Sequence, residues 1–383
     1  MDISVLNPFF YPYGGGTENV LMHVYKRLSK KHNITIISGA LNPKDHYSKE
    51  EINGIEVIRL KSDYYNIPGA PLPFLKMYGL KEAILHQNSQ IYHINNRYQY
   101  FNGTIRTIKS LNARLALTIH NSLPKNINMA TDTFGLIYDV VWGRKIMHAA
   151  DLITCVSKNA MLTTVPKADL HKAVTIYNGV DSERYKKRSK RQKIVKKIIN
   201  DLQLDGFTMM NNARFIPQKG HIYTIAAFER FTKKNDAHLL LVGKGPMEKK
   251  IKELIILKNL QRNVSIIGGL KEEEMPHYYN TSDLFLFPSL YEPCGLALLE
   301  GLSSELPTIA SKIGGIPEVM GSYGKYMVPR NIENLYNNMN LLYEHPDYRN
   351  KIAKGARKRM VEIFNWDKIA KEYEEYFYTL SKN

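Results

Sequence analysis

An α/β fold built from two doubly wound, parallel-sheeted halves is predicted by three observations. Short apolar runs rich in β-branched residues alternate with segments of helical apolar spacing along most of the chain. The alternation occurs twice, interrupted by a highly charged stretch at residues 182–205. With 383 residues the chain also exceeds what one ordinary core accommodates. These observations give a first domain over residues 1–181, a basic linker region over 182–205 and a second domain over 206–364.

The opening strand, residues 3–6, runs into a turn holding Gly14, Gly15 and Gly16, and a helix follows on Val20, Leu21, Val24 and Leu28. Three glycines between strand and helix let backbone approach a ligand and expose amides at the helix start. The dinucleotide fingerprint does not fit, and a tight turn without chemistry explains these glycines equally well. Strands follow at 34–37 and 55–60, then a helix near 74–86, a strand at 91–94, a helix near 102–110 and a strand at 114–119. That strand ends at His120, Asn121 and Ser122. Ligands bind at the carboxyl ends of strands in such sheets, which makes His120 a candidate beside its plain reading as a structural histidine. The half closes with strands at 152–156, capped by Ser157, and 174–177, ending at Asn178 and Gly179.

The second series places strands at 207–210, 238–242, 264–267, 284–287 and 308–310, with a helix from Gly220 and helices from about residue 330 onward. Its turns hold Gly243 to Pro246, then Gly268, Gly269 and Leu270. Residues 289–300 carry the densest chemistry. Glu292 falls in a loop and Glu300, eight residues on, inside a helix opening at Gly295. A fully helical span of that length is about 12 Å, suited to two carboxylates gripping the ends of one elongated polyol. Between them the N–H groups of Gly295 and Leu296 form a positive helix end suited to a phosphate. Hydroxyl acceptors at both ends and an anion site between them describe a nucleotide-sugar; two solvated glutamates are the alternative.

Net charge is +17, with a pI near 9.5, which favours anionic partners. The densest basic run, residues 184–197, has no stacking aromatic beyond Tyr185 and no accompanying nucleic-acid motif, so no nucleic-acid partner is expected. Solvated surface and anionic membrane contact both fit it. Tyr11, Tyr13, Tyr65, Tyr98 and Tyr100 in a basic first domain suit a lipid-linked acceptor at a membrane face. Cys155 and Cys294 lack a pairing motif, which points to a reducing cytosol. No secretory leader or membrane-spanning run is read, so the expected location is cytoplasmic, with peripheral contact at the membrane face. Neither an Asp-x-Asp at a strand end nor a His/Cys cluster with ligand spacing occurs, and no metal is expected.

Further motifs complete the pattern: Ala213, Arg214, Lys219 and Gly220; residues 242–246; residues 311–318; Val156 and Ser157; residues 177–181; Gly15, Gly16 and Glu18; and Phe364 with Trp366. With Glu292 and Glu300 as an E-x7-E pair, the chain resembles family 4 of the nucleotide-sugar-dependent glycosyltransferases over essentially its whole length. The resemblance implies the GT-B fold: two facing Rossmann-like domains with a deep interdomain cleft, and a C-terminal helix at about 365–383 crossing back to the N-terminal domain. It implies a retaining enzyme moving a hexosyl unit from a UDP-, GDP- or ADP-sugar to a hydroxyl of a sugar, polysaccharide or glycolipid. Arg214 and Lys219 would neutralise the donor diphosphate, where negative charge grows as the glycosidic bond breaks. Glu300 would accept from ribose hydroxyls and Glu292 from donor-sugar hydroxyls, with Cys294, Gly295 and Leu296 at the sugar and phosphate.

The same resemblance sets Leu270 at the base through its backbone and His120 near the sugar from the opposite domain. Gly15, Gly16 and Glu18 fall on the acceptor and phosphate side. Because Glu292 is assigned to ring hydroxyls, front-face attack is favoured over a carboxylate nucleophile. Arg214, Lys219 and the helix end supply positive charge, so no cofactor or metal is required. Cys294 stands where the family more often has Phe, Ala213 where it has Gly, and Asn121 where Asp is frequent. A nucleotide-sugar epimerase or phosphorylase would share the fold, but no acid–base set for an epimerase is assignable. A non-catalytic basic scaffold is opposed by the joint presence of Arg214, Lys219, Glu292 and Glu300.

Overall fold

A computed structural model describes residues 1–40, 42, 47–65, 74–96, 102–121 and 129–382. The chain divides into two units, Met1–Asn178 together with Trp366–Asn383, and Gly179–Asn365.

The first unit begins with β1 (Asp2–Leu6), α1 (Gly16–Leu28), β2 (Asn33–Gly39), β3 (Ser48–Ile52) and β4 (Ile55–Leu60). A separate hairpin of β5 (Ser62–Tyr65) and β6 (Phe74–Met77) follows, then α2 (Leu80–Gln87), β7 (Ile91–Asn95), α3 (Asn102–Ser110) and β8 (Arg114–Ile119). After α4 (Met129–Tyr138), a π-helical turn (Asp139–Gly143) and α5 (Arg144–Ala149) come β9 (Leu152–Cys155), α6 (Lys158–Thr164) and β10 (Ala173–Thr175). The main sheet has the order β10-β9-β8-β7-β1-β2-β4-β3, parallel except for β3. Helices on the faces bury Ile36, Ile94, Leu117 and Ile153 completely, which explains why these strands read as continuous apolar runs. Strand order reverses between β1 and β7, so the loops leaving those strands part and open a crevice at their carboxyl ends.

Two expectations change here. The helix near 74–86 is a strand, β6, followed by a shorter helix: Gly79, at φ +77°, starts α2, and residues 74–77 pair antiparallel with β5. The edge strand β3 is missing from the sequence reading because Lys49, Glu50 and Glu51 fill its centre and nearly all of it is exposed. Its signal was the turn, since Asn53 and Gly54 both take positive φ, as a two-residue hairpin requires. Ser122, Tyr98 and Tyr100 lie outside the described residues.

The second unit contains α7 (Lys193–Asp201), β11 (Phe207–Asn212), α8 (His221–Thr232), β12 (Ala237–Val242), α9 (Glu248–Leu257) and β13 (Val264–Ile267). It continues through α10 (Met275–Tyr279), β14 (Leu284–Phe287), α11 (Leu296–Ser303), β15 (Thr308–Ser311), α12 (Ile316–Met320), β16 (Lys325–Met327), α13 (Ile332–Glu344) and α14 (Pro346–Glu362). Its sheet is parallel, in the order β13-β12-β11-β14-β15-β16, the classical dinucleotide-fold order with its reversal between β11 and β14. The core is centred on Met209, Leu239, Leu241, Leu284 and Leu286 of the strands and Phe228 and Phe231 of α8.

Residues 182–205, read as a linker, are instead an integral edge of this unit. Arg184 pairs with Glu272 at 2.7 Å, Lys187 with Glu305 at 3.0 Å and Lys190 with Asp283 at 2.8 Å. Tyr185 and Val195 are buried, and α7 forms within the run. Its cations answer carboxylates that stand far away in sequence, which charge density alone does not reveal.

The chain then re-enters the first unit as α15 (Trp366–Lys382). Trp366 stacks on His23 of α1 at 4.9 Å, and Arg27 reaches Asp367 at 2.6 Å. On the same face, the Tyr373 and Phe377 rings pack around the buried His93 of β7.

Candidate functional site

The reversal point of the second unit gathers the sequence candidates. Arg214 and Lys219 lie on the loop leaving β11, and Glu292, Cys294 and Gly295 on the loop leaving β14. The two loops are fastened backbone to backbone: Leu290 donates its N–H to the Gln218 carbonyl at 2.7 Å. Gly220 makes that approach feasible. It sits at φ +70°, and a Cβ there would overlap the Pro288 carbonyl oxygen. Gly220→Ala is expected to lower stability by about 1–3 kcal/mol and to weaken nucleotide binding with it. Urea denaturation and calorimetric titration check this; unchanged binding would detach the loop junction from the site.

Lys219 Nζ donates to Glu292 Oε2 at 2.5 Å, and Ser289 Oγ approaches the same oxygen at 3.4 Å. Glu292 is buried, and its carbonyl accepts from Gly315 N at 3.1 Å, tying the residue to the loop before α12. The carboxylate is thus held by cation, hydroxyl and backbone rather than solvated. Arg214 is exposed and makes no side-chain hydrogen bond or ion pair among the described residues. Gly295 caps α11, and Leu298 and Leu299 already donate to its carbonyl. The N–H groups of Leu296 and Ala297 take no acceptor among the described residues, leaving the positive helix end open. Cys294 is buried just before it.

Glu300 stands inside α11, held by a network that sequence reasoning missed. Asn212, ending β11, donates to the Tyr279 hydroxyl at 2.8 Å, which contacts Glu300 Oε2 at 2.9 Å. Tyr185 adds a second hydroxyl bond to the carboxylate. Burial strips water from Glu300 and raises its pKa to about 7, against the opposing pull of the two tyrosine hydroxyls; Glu272 raises it further and Arg184 lowers it. No local pattern marks Tyr185, Asn212 and Tyr279 as partners of Glu300, because they come from separate elements. Leu270 is half-buried after β13, and the neighbouring Gly268 and Gly269 lie against the Lys244 side chain.

The other candidates belong to the first unit. Gly15 caps α1 and the Glu18 carboxylate folds back over it, held by Asn7 Nδ2 at 3.1 Å. His120 leaves β8 with its Nε2 on Asn95 Oδ1 of β7 at 3.0 Å and its backbone N–H on Asn96 Oδ1 at 3.3 Å. Asn95 is a further positioning side chain that the pattern of β7 concealed as an ordinary strand residue. Burial lowers the His120 pKa to about 4. Behind it His93, bonded to the Tyr25 hydroxyl and to Thr118 Oγ1 at 2.6 Å, is lowered to about 3 by burial and then by His120. Unfolded histidine takes a proton near 6.5 while these two do not, so stability falls as pH drops below that value and continues to fall toward the folded pKa values. The His120 ring proton resonances are expected to stay flat between pH 5 and 8; an NMR midpoint near 6.5 would contradict its burial.

Among the described residues no group of three or more His, Cys, Asp or Glu side chains is arranged to hold a metal ion, and no helix is long and apolar enough to cross a membrane.

Two Rossmann-like units, the second carrying Arg214, Lys219 and Glu292 on its switch-point loops and Glu300 inside the helix that follows, mark a glycosyltransferase of GT-B architecture. The fold matches that of HepE from Anabaena, solved in complex with UDP-glucose, with a TM-score of 0.77 and 18% identity over 98% of this chain and 99% of that one. Two family descriptions match side by side: Glycosyltransferase Family 4 over residues 14–184 and Glycosyl transferases group 1 over residues 192–359. The chain belongs to the family 4 glycosyltransferases. An uncharacterized glycosyltransferase of Methanocaldococcus jannaschii is 26% identical over 204 residues, 52% of each chain, so the alignment spans about half of that relative. The phosphatidylinositol N-acetylglucosaminyltransferase GPI3 subunit of Saccharomyces cerevisiae is 24% identical over 337 residues, 83% of this chain and 70% of the relative.

Proposed function

We propose that this protein is a retaining hexosyltransferase that binds a nucleotide-diphosphate sugar on its second unit and passes the sugar to a hydroxyl acceptor. The observation that carries the reading is the joining of Arg214, Lys219, Glu292 and the open end of α11 on the two loops that flank the sheet's reversal point. The diphosphate takes the Leu296 and Ala297 N–H groups and the two cations, and Glu300 takes the ribose. Glu292 holds donor-sugar hydroxyls, and the backbone around Leu270 meets the base. As the glycosidic bond breaks, the electron pair passes to the diphosphate oxygen, and the acceptor hydroxyl attacks from that same face while the phosphate oxygen takes its proton. Charge growing on the leaving diphosphate is met by Arg214, Lys219 and the helix end, so the reaction runs without a metal. Uridine diphosphate is the first nucleotide to test, since a protein of this fold binds UDP-glucose.

For the acceptor we assign a hydroxyl borne by a lipid at an anionic membrane face, on the first unit, where Gly15, Gly16, Glu18 and His120 lie. Support comes from the charge of +17 and from a relative whose name specifies phosphatidylinositol. The test is a thermal-shift panel of UDP, GDP, ADP and TDP and their hexose conjugates in EDTA, followed by transfer assays and the anomeric configuration of the product by NMR. One selective shift, transfer in EDTA and retained configuration are expected. Transfer that requires added magnesium would overturn metal independence, and an inverted product the front-face route.

A further inference from the structure

We infer that the ridge formed by the end of α4, the π-helical turn and α5 docks on an anionic lipid surface. The inference rests on the reading above in which the acceptor is borne by a membrane, and names the surface that meets it.

Leu136 and Ile137 are 56% exposed, Val140 50%, Val141 39% and Trp142 38%. The spacing of the first four, i, i+1, i+4 and i+5, puts them on one side of a helical segment. Gly135, Asp139 and Gly143 are buried on the opposite side, and Ile146 and Met147 anchor α5 in the core of the unit. A helix on a globular surface turns its apolar stripe inward; this one carries a second apolar stripe facing water. The outward stripe continues without a break into Arg144, Lys145 and His148.

The charges around the ridge are sorted by sign. Asp139, 2% exposed, lies 3.9 Å from Arg144, whose side chain is 59% exposed. Asp169 is buried against Lys172 at 3.0 Å and His148 at 3.3 Å, and Asp151 is engaged by Lys109 at 2.8 Å. Carboxylates are turned inward or paired while Arg144 and Lys145 lie exposed, so the stripe presents positive charge beside its apolar residues. That arrangement matches anionic headgroups above an acyl boundary, with Trp142 at the junction where an indole ring is most at ease. A second copy fits less well. A symmetric pair would bring the same cations together, and a stable protein interface draws on about 20–30 residues a side rather than one stripe.

The test is flotation of the full chain with vesicles of phosphatidylcholine alone and of equimolar phosphatidylcholine and phosphatidylglycerol. The parent is expected to float with the anionic vesicles. Ile137→Ser with Val141→Ser should reduce the bound fraction roughly tenfold or more, and Arg144→Gln with Lys145→Gln roughly fivefold per cation. Trp142 and Trp366 are the only tryptophans and Trp366 is buried, so a blue shift of emission on vesicle addition reports Trp142, and Trp142→Phe should remove it. Absence of parent flotation, variants that float like the parent, or a parent dimer that the Ile137→Ser, Val141→Ser pair dissociates would each overturn the inference. Thermal shift with nucleoside diphosphates, run on every variant, confirms folding and reads the donor site separately, so failure of the ridge is distinguished from failure of the transferase reading.

Discussion

Lys219→Met lowers kcat/KM for sugar transfer by about 10²- to 10³-fold, the loss expected when one preorganised charge on a developing anion is removed. The loss falls mainly in kcat if the cation acts on charge that grows only as the glycosidic bond breaks. Stability changes as well. Lys219 and Glu292 form an ion pair with side chains only 18% and 8% exposed, so removing the lysine strands a buried carboxylate. A cost of about 1–3 kcal/mol is expected. The double variant Lys219→Met, Glu292→Gln separates the two effects, because it removes the stranded charge without restoring the cation. It should regain most of the stability and none of the activity. Denaturant melts and initial rates on the four proteins of the cycle check this. A Lys219→Met enzyme within tenfold of the parent, or a double variant that recovers transfer, would remove the lysine from the diphosphate.

The second large effect is a pH dependence of nucleotide binding set by Glu300. Its pKa of about 7 means that half the free protein carries a protonated carboxyl near neutrality. In the proposed complex ribose hydroxyls donate to the ionised form, so binding draws the proton off. Affinity should strengthen roughly thirtyfold between about pH 5.5 and pH 8 and then level. Below pH 7 calorimetry in buffers of differing ionisation heat should register proton release. The apo protein responds in the opposite sense: with an unfolded value of 4.5, the raised carboxyl costs stability as pH climbs from there through 7. Glu300→Gln is expected to flatten both profiles. Tyr279→Phe should move the binding midpoint upward, because the Tyr279 hydroxyl bond lowers the pKa. A parent affinity that does not vary with pH would exclude Glu300 as the ribose acceptor.

The placement of the candidate residues is legible in the sequence where neighbours along the chain are also neighbours in space, and it is lost where they are not. Glu292, Gly295 and Glu300 are near neighbours in sequence, and a strand–loop–helix pattern places them by local geometry alone. The β11 to α8 junction is legible for the same reason. The Lys219–Glu292 bond joins residues 73 apart, and the Arg188 N–H bond to Asn280 joins residues 92 apart. Such pairings arise from sheet order, which periodicity does not encode. The hydroxyl grip on Glu300 was hidden likewise, Tyr185 lying in a basic run and Tyr279 ending a short helix. Among secondary elements, the charged edge strand β3 and the three-residue β16 escaped because they bury too little to leave an apolar signature, and the apolar residues of β6 read as part of the helix that follows.

Helix α15 has a consequence for how the protein is made. The stretch Gly179–Asn365 is contiguous and has its own core, whereas the first unit requires Trp366, Tyr373 and Phe377 to cover α1 and β7. A ribosome therefore delivers most of the first unit early and its last piece only after the whole second unit has emerged. At ordinary elongation rates that interval is roughly 10–40 s. During synthesis the later-made half can finish folding first, and the earlier half waits with the face of α1 that receives Trp366 uncovered.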